Sequence, residues 1–252
     1  MSEGAVIIYG RGGELGDFKV FADTLKKELV KKYSAATVID KYIDRRADFI
    51  TFLKNGFAFK VKELHIYSHS IGAGLFIGYG DPAIARMRVN LLMTATRSRR
   101  KVNYDQVVRT EVGSVLTGNL VRTEFTAHQS TLQSIFDSDA FIKIWGCNSA
   151  VKDWVYHDED IVDPVDTSVE YYWRALNEQN SPKPSIAQAF ADFFKVKVFG
   201  ASSGANIQVL HNRAWTSSQK YKDDKGRWPS GTLPHRLVPE VGVYDEYKPV
   251  SP

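Results

Sequence analysis

The sequence predicts an α/β protein: a mostly parallel central sheet flanked by helices in three layers. Three observations predict it. Short β-branched and aromatic runs alternate with stretches of helical spacing up to Ser68. Strand, helix, strand, helix, strand is the pattern of parallel strands joined by right-handed crossovers. Two apolar segments, residues 62–68 and 141–146, read as buried strands and end on reactive side chains, His69 and Cys147. Hydrophobic residues at 43% and aromatic residues at 12% supply a core without disulfide staples.

Residues 5–9 form a first strand, closed by the loop Gly10-Arg11-Gly12-Gly13. Residues 18–33 carry apolar side chains at 18, 21, 22, 25, 29 and 30, which is helical spacing, with Asp17 as N-cap. A second strand is expected at 36–39, a short helix at 47–53 ending near Asn55-Gly56, and a third strand at 64–68. The rhythm then changes. Glycines at 72, 74, 78 and 80 disfavour a helix and predict a turn with a short strand at 75–79. Residues 83–125 read as an inserted basic segment, with helices at 84–93 and 103–110. A helix at 126–136 leads into the Cys147 strand. Residues 153–166 read as an acidic loop, 167–176 and 185–194 as helices, and 195–199 and 207–210 as strands. A loop-rich tail begins at about 217 and holds a final strand at 241–244. No repeat or linker is visible, so residues 1–252 read as a single domain.

The lone cysteine excludes an internal disulfide and a multi-cysteine zinc site, and it fits a reducing compartment. Met1-Ser2-Glu3-Gly4-Ala5 has neither a basic n-region nor an apolar run, so no signal peptide is read there. No stretch approaches the roughly 18 apolar residues of a membrane span. The expected location is cytoplasmic, with secretion lacking a cleaved signal left open.

Net charge is +4, and residues 81–111 carry it, with seven Arg/Lys against three acids. The run Arg97-Ser98-Arg99-Arg100-Lys101 is short. A nucleic-acid binder shows a broader basic face with interleaved aromatics, so nucleic acid is not an expected partner. The run reads as a solvated loop, with a processing site or an acidic-partner contact as alternatives. Between Lys152 and Asp166 six acids face one lysine. Clustered carboxylates bind calcium, but EF-hand spacing is missing.

Ligands sit at the C-terminal ends of strands in open α/β sheets. A thiol and an imidazole delivered to one sheet edge make a nucleophile and its base. Against this, a lone Cys behaves as a small buried hydrophobe. The polar Asn148-Ser149 that follows signals a chain leaving the core. His65 shares a strand face with His69 by the period-two rule. With no third metal ligand in view, it reads as structural.

These blocks resemble the caspase-like cysteine peptidases of clan CD, and are nearest in motif style to CHAT-domain proteases. The family's Ser-His-Gly motif corresponds to Ser68-His69-Ser70. Its glycine-containing hairpin corresponds to Gly74-Leu75-Phe76-Ile77-Gly78, and its strand-terminal Cys to Gly146-Cys147-Asn148-Ser149-Ala150. The resemblance covers about a fifth of the chain. It implies a caspase-like fold and a cysteine endopeptidase acting on a protein or peptide substrate, with a regulatory protein partner open. Cys147 would attack the peptide carbonyl and His69 would protonate the leaving amine. Backbone N–H groups near Ser70 and Cys147 would hold the oxyanion. Ser70 stands where the family has Gly, which lets substrate approach the backbone closely. Arg11 occupies the place of the arginine that selects an acidic P1 residue in caspases. This chemistry needs no cofactor.

Two other classes remain open. Ser68-His69-Ser70-Ile71-Gly72 also reads as a relaxed nucleophile elbow, with Ser70 as a serine hydrolase nucleophile and His211 or His235 as base. The elbow requires a following helix, against which the four glycines argue. A catalytically inactive caspase-like interaction module is the third class.

Overall fold

The computed structural model describes residues 2–11, 18–99, 104–146, 149–150, 152, 184–201 and 244–250. Its frame is a six-stranded sheet. The strands are β1 (Glu3–Tyr9), β2 (Val38–Tyr42), β3 (Lys60–Tyr67), β7 (Phe136–Ile144), β8 (Lys197–Gly200) and β9 (Asp245–Tyr247). Their order is β2-β1-β3-β7-β8-β9, all parallel except the antiparallel edge β9. From β1 the chain goes first to one side and then to the other, so β1 and β3 flank a topological switch point.

The central strands are buried on both faces, which explains the unbroken apolar run of β1; in β3 and β7 the burial also takes in Glu63, His65 and Lys143. On one face Val6, Ile8, Leu64, Ile66, Ile142, Ile144 and Val198 pack against α2 (Arg46–Lys54), α7 (Gln129–Ser134) and α8 (Ile186–Phe194). On the other, Ala5, Ile7, Tyr9, Tyr67, Trp145 and Phe199 meet Ala22, Leu25 and Leu29 of α1 (Lys19–Lys32). Helix, sheet and helix give the three layers expected. Helix α8 is opened by the Ser185 hydroxyl, which accepts from the Gln188 amide at 3.2 Å, and is closed by Lys195 at φ 59°.

A second sheet stands at the C-terminal end of the first. It joins β4 (His69–Ile71), β5 (Gly74–Phe76) and β6 (Val115–Leu116), all antiparallel. Strand β6 comes from the segment read as an insertion. That segment also folds as α3 (Pro82–Arg97), α4 (Tyr104–Thr110), α5 (Thr117–Leu120) and α6 (Thr123–Thr126). Ile71, Ala73, Phe76, Val107, Val108 and Leu116 form its own small core.

Several expected boundaries move, for physical reasons. Strand β2 runs to Tyr42 rather than ending at 39, because an edge strand tolerates the polar Asp40 and Lys41. A charged edge strand lies at Asp245–Tyr247; of the final strand expected at 241–244, residues 241–243 lie outside the described residues and Tyr244 is a bend. The strand expected at 75–79 is Gly74–Phe76. The helix expected at 126–136 is broken by the non-helical His128, and Phe136 already belongs to β7. The acidic loop at 153–166, the elements at 167–176 and 207–210, Asp17, Arg100 and Lys101 lie outside the described residues. So does most of the tail from 217. No described helix is long and apolar enough to cross a membrane.

Candidate active site

Parallel pairing of β3 with β7 sets the geometry. Their register runs Leu64↔Ile142, His65↔Lys143 and Ile66↔Ile144, and the Trp145 amide donates to the Ile66 carbonyl at 2.9 Å. His69 and Cys147 each follow this last pair by three residues. Cys147 and Asn148 lie outside the described residues, but both flanks are described. On the near flank, a Cβ on Gly146 would overlap the Ser70 hydroxyl and come within 2.5 Å of the Ser68 carbonyl oxygen. Only glycine permits that approach, so the chain entering Cys147 lies directly against Ser68-His69-Ser70. On the far flank the buried Ser149 hydroxyl donates to the Gly146 carbonyl at 3.2 Å and accepts from the Ala201 amide at 3.0 Å. Ala187 donates to the Ser149 carbonyl at 3.1 Å.

His69 opens β4 and is exposed. Its ring lies 5.3 Å from that of Phe18, edge-on, and 4.5 Å from that of Tyr79. Ser70 is buried and pairs with Leu75 in the hairpin. The chain after Ser70 thus enters a strand rather than a helix, as its glycines predict, and the strand-to-helix turn of a nucleophile elbow is not formed there. His211 and His235 lie outside the described residues. Ser68 is 3% exposed, and its hydroxyl finds no hydrogen-bond partner among the described residues.

Arg11 lies at the same sheet edge. Gly10 donates to the Tyr67 carbonyl at 2.8 Å, and Arg11 donates to the Ile77 carbonyl at 2.7 Å. The Arg11 guanidinium faces Asp81 at 3.7 Å, and Arg45 reaches the same carboxylate at 3.2 Å. Asp81 also caps α3, accepting from the amides of Ala83 and Ile84. Burial pushes its carboxyl up, but the Ile84 amide and Arg45 outweigh that and hold it below the usual value. The sequence reading missed this carboxylate, although Asp-Pro opening a helical run is a start signal.

One layer beneath the strand ends, on the α1 face, lies a buried polar line. The Trp145 indole N–H donates to Nδ1 of His65 at 3.2 Å, so Nε2 carries the ring proton and donates to Glu63 at 3.0 Å. Glu63 also accepts from Lys32 at 2.5 Å and from the Tyr33 hydroxyl at 2.8 Å. Lys143 sits over the rings of Trp145 and Tyr244, at 3.8 and 3.9 Å. Trp145 stacks on Tyr67 at 5.2 Å, which ties β7 to β3 just below the candidate pair. Burial pushes the His65 ring toward neutrality. Burial alone would raise Glu63, but its hydrogen bonds from His65, Lys32 and Tyr33 bring it down to about 2. His65, read from the sequence as structural for want of a third metal ligand, has both ring nitrogens engaged by Glu63 and Trp145. Among the described residues no group of three His, Cys, Asp or Glu gathers as a metal site.

A third arrangement braces the hairpin. Arg88 of α3 and Glu111 are each 1% exposed and form a two-pronged pair, at 2.7 and 3.2 Å. Arg88 also donates to the Tyr79 carbonyl at 3.3 Å and lies 5.8 Å from the Tyr79 ring centre. In the sequence Arg88 counted only toward a basic window. Its partner is 23 residues away, and no local pattern marks the pair. Compared with known proteins, the chain matches no family model and no curated protein sequence.

Proposed function

We propose that this protein is a cysteine endopeptidase in which Cys147 is the nucleophile and His69 the base. One observation carries the reading: in the β3–β7 register the two residues follow the Ile66↔Ile144 pair at equal distance, and Gly146 packs against the backbone beside His69. In the proposed reaction the Cys147 sulfur bonds to the peptide carbonyl carbon, and the C–N bond breaks as His69 gives its proton to the leaving amine. Water then hydrolyses the thioester, with its proton returning through His69. Backbone N–H groups at Ser70 and Cys147 would hold the oxyanion. Arg11 would meet an acidic residue before the scissile bond, in competition with Asp81. A caspase-like ancestry and a cytoplasmic setting suit the motifs and the lone cysteine.

The test uses the intact chain against a mixed peptide library. Cys147→Ala and His69→Ala are each expected to abolish cleavage while urea midpoints hold, and Ser70→Ala is expected to retain activity. Loss of cleavage in Ser70→Ala alone would reverse the assignment. Absence of any cleavage, with Cys147 no more reactive than a free thiol, would favour an inactive interaction module.

A further inference from the structure

Resting on the Cys147–His69 reading, we propose that Tyr79 is a positioning residue for His69, held in place by the buried Arg88–Glu111 pair. The His69 backbone is fixed by its pairing with Phe76, but an exposed imidazole still rotates about its own side-chain bonds. Two rings border the imidazole, Phe18 edge-on at 5.3 Å and Tyr79, the nearer, at 4.5 Å, and the Tyr79 contact restricts that rotation most closely. Offset and tilted ring pairs in this distance range are attractive beyond the area they bury.

Tyr79 is itself constrained. Its ring packs on the small core of the β4-β5-β6 sheet. Its amide donates to the Phe76 carbonyl at 3.3 Å, and its carbonyl accepts from Arg88. Arg88 has little freedom, because Glu111 grips it through two nitrogens. Glu111 is anchored in turn by Arg46, which donates to its carbonyl at 2.5 Å. The guanidinium lies beside the Tyr79 ring, a geometry in which the cation is drawn to the π face. A rigid line therefore runs from α2 through Glu111, Arg88 and Tyr79 to the imidazole. Its ion pair sits wholly inside, where breaking one partner is costly, so the line resists distortion. Every member except His69 comes from outside the blocks that carry the family resemblance.

The test is the rate of Cys147 alkylation by iodoacetamide near neutral pH in the full-length protein, read against pH. Four chains are compared: wild type, His69→Ala, Tyr79→Leu and Tyr79→Phe. His69→Ala is expected to slow labelling about tenfold and to move the profile toward that of a free thiol. Tyr79→Leu is expected to reproduce most of that loss and the same shift, whereas Tyr79→Phe, which keeps the ring, labels at the wild-type rate. A merely structural role would lower the urea midpoint in Tyr79→Leu without moving the profile of the molecules that remain folded. Should Tyr79→Leu fail to fold, the paired replacement Arg88→Met with Glu111→Leu, which leaves no buried charge behind, is expected to show the same shift in direction. Slowing in His69→Ala but not in Tyr79→Leu or the paired variant overturns the positioning role and leaves the dyad standing. Equal labelling in wild type and His69→Ala overturns both.

Discussion

Acid should weaken this protein through one buried histidine. His65 is fully buried, and burial holds its ring neutral below the ordinary value of 6.5. The neutral form is required by its contacts, since Nδ1 must accept from the Trp145 indole. Protonation would set two donors against each other. An unfolded chain takes up the proton at about pH 6.5, whereas the folded chain resists it. The stabilising contribution is therefore fully present above pH 6.5 and is lost as pH falls below it. Each pH unit below 6.5 at which the folded ring stays neutral removes about 1.4 kcal/mol. With a urea slope of about 3 kcal/mol/M, each such pH unit lowers the unfolding midpoint by roughly 0.5 M, so the midpoint should be lower at about pH 5.5 than at about pH 7.5. Glu63 does not contribute in this window, because its carboxyl, held at about 2, loses its share only as pH falls from 4.5. The assay is a urea titration at both pH values for wild type and His65→Phe. The variant starts less stable, having lost two hydrogen bonds, but should lack this part of the pH response. Parallel pH responses in the two proteins would refute the assignment.

Two further substitutions probe the sheet edge. Gly146→Ala should cost about 1–3 kcal/mol in urea stability, because its Cβ collides with the Ser70 hydroxyl and the Ser68 carbonyl. Adding Ser70→Gly should recover only part of this, since the Ser68 oxygen is backbone; full recovery would mean that the Ser70 hydroxyl alone sets the constraint. Asp81→Ala removes the cap of α3 and should cost about 1 kcal/mol in urea stability at neutral pH. The Asp81 contribution is present above pH 3.8 and is lost below it, so wild type and variant should converge in strong acid.

Local pattern was enough for the sheet. Ala5 to Tyr9 is apolar on both faces because both faces are covered, and Leu64, Ile66 and Tyr67 continue the pattern around the buried His65, so that signal survives in one dimension. The same logic explains the misplaced ends. Asp40, Lys41, Asp245 and Glu246 sit on edge strands with little to bury, so their polar side chains hid the strands. The four glycines after Ser70 announced a hairpin, because a helix interior penalises them.

By itself, then, the sequence determined the α/β alternation, the two strand-terminal blocks and the turn chemistry between them, since each is a property of neighbours along the chain. Only the tertiary structure decided which residues stand behind the candidate pair. Glu111 meets Arg88, Trp145 meets His65, Asp81 meets Arg11 and Tyr79 meets the His69 ring. Buried polar groups must find partners, but nothing in their spacing says which partner is near. That choice is made by strand register and by the crossing of separate elements over one sheet edge.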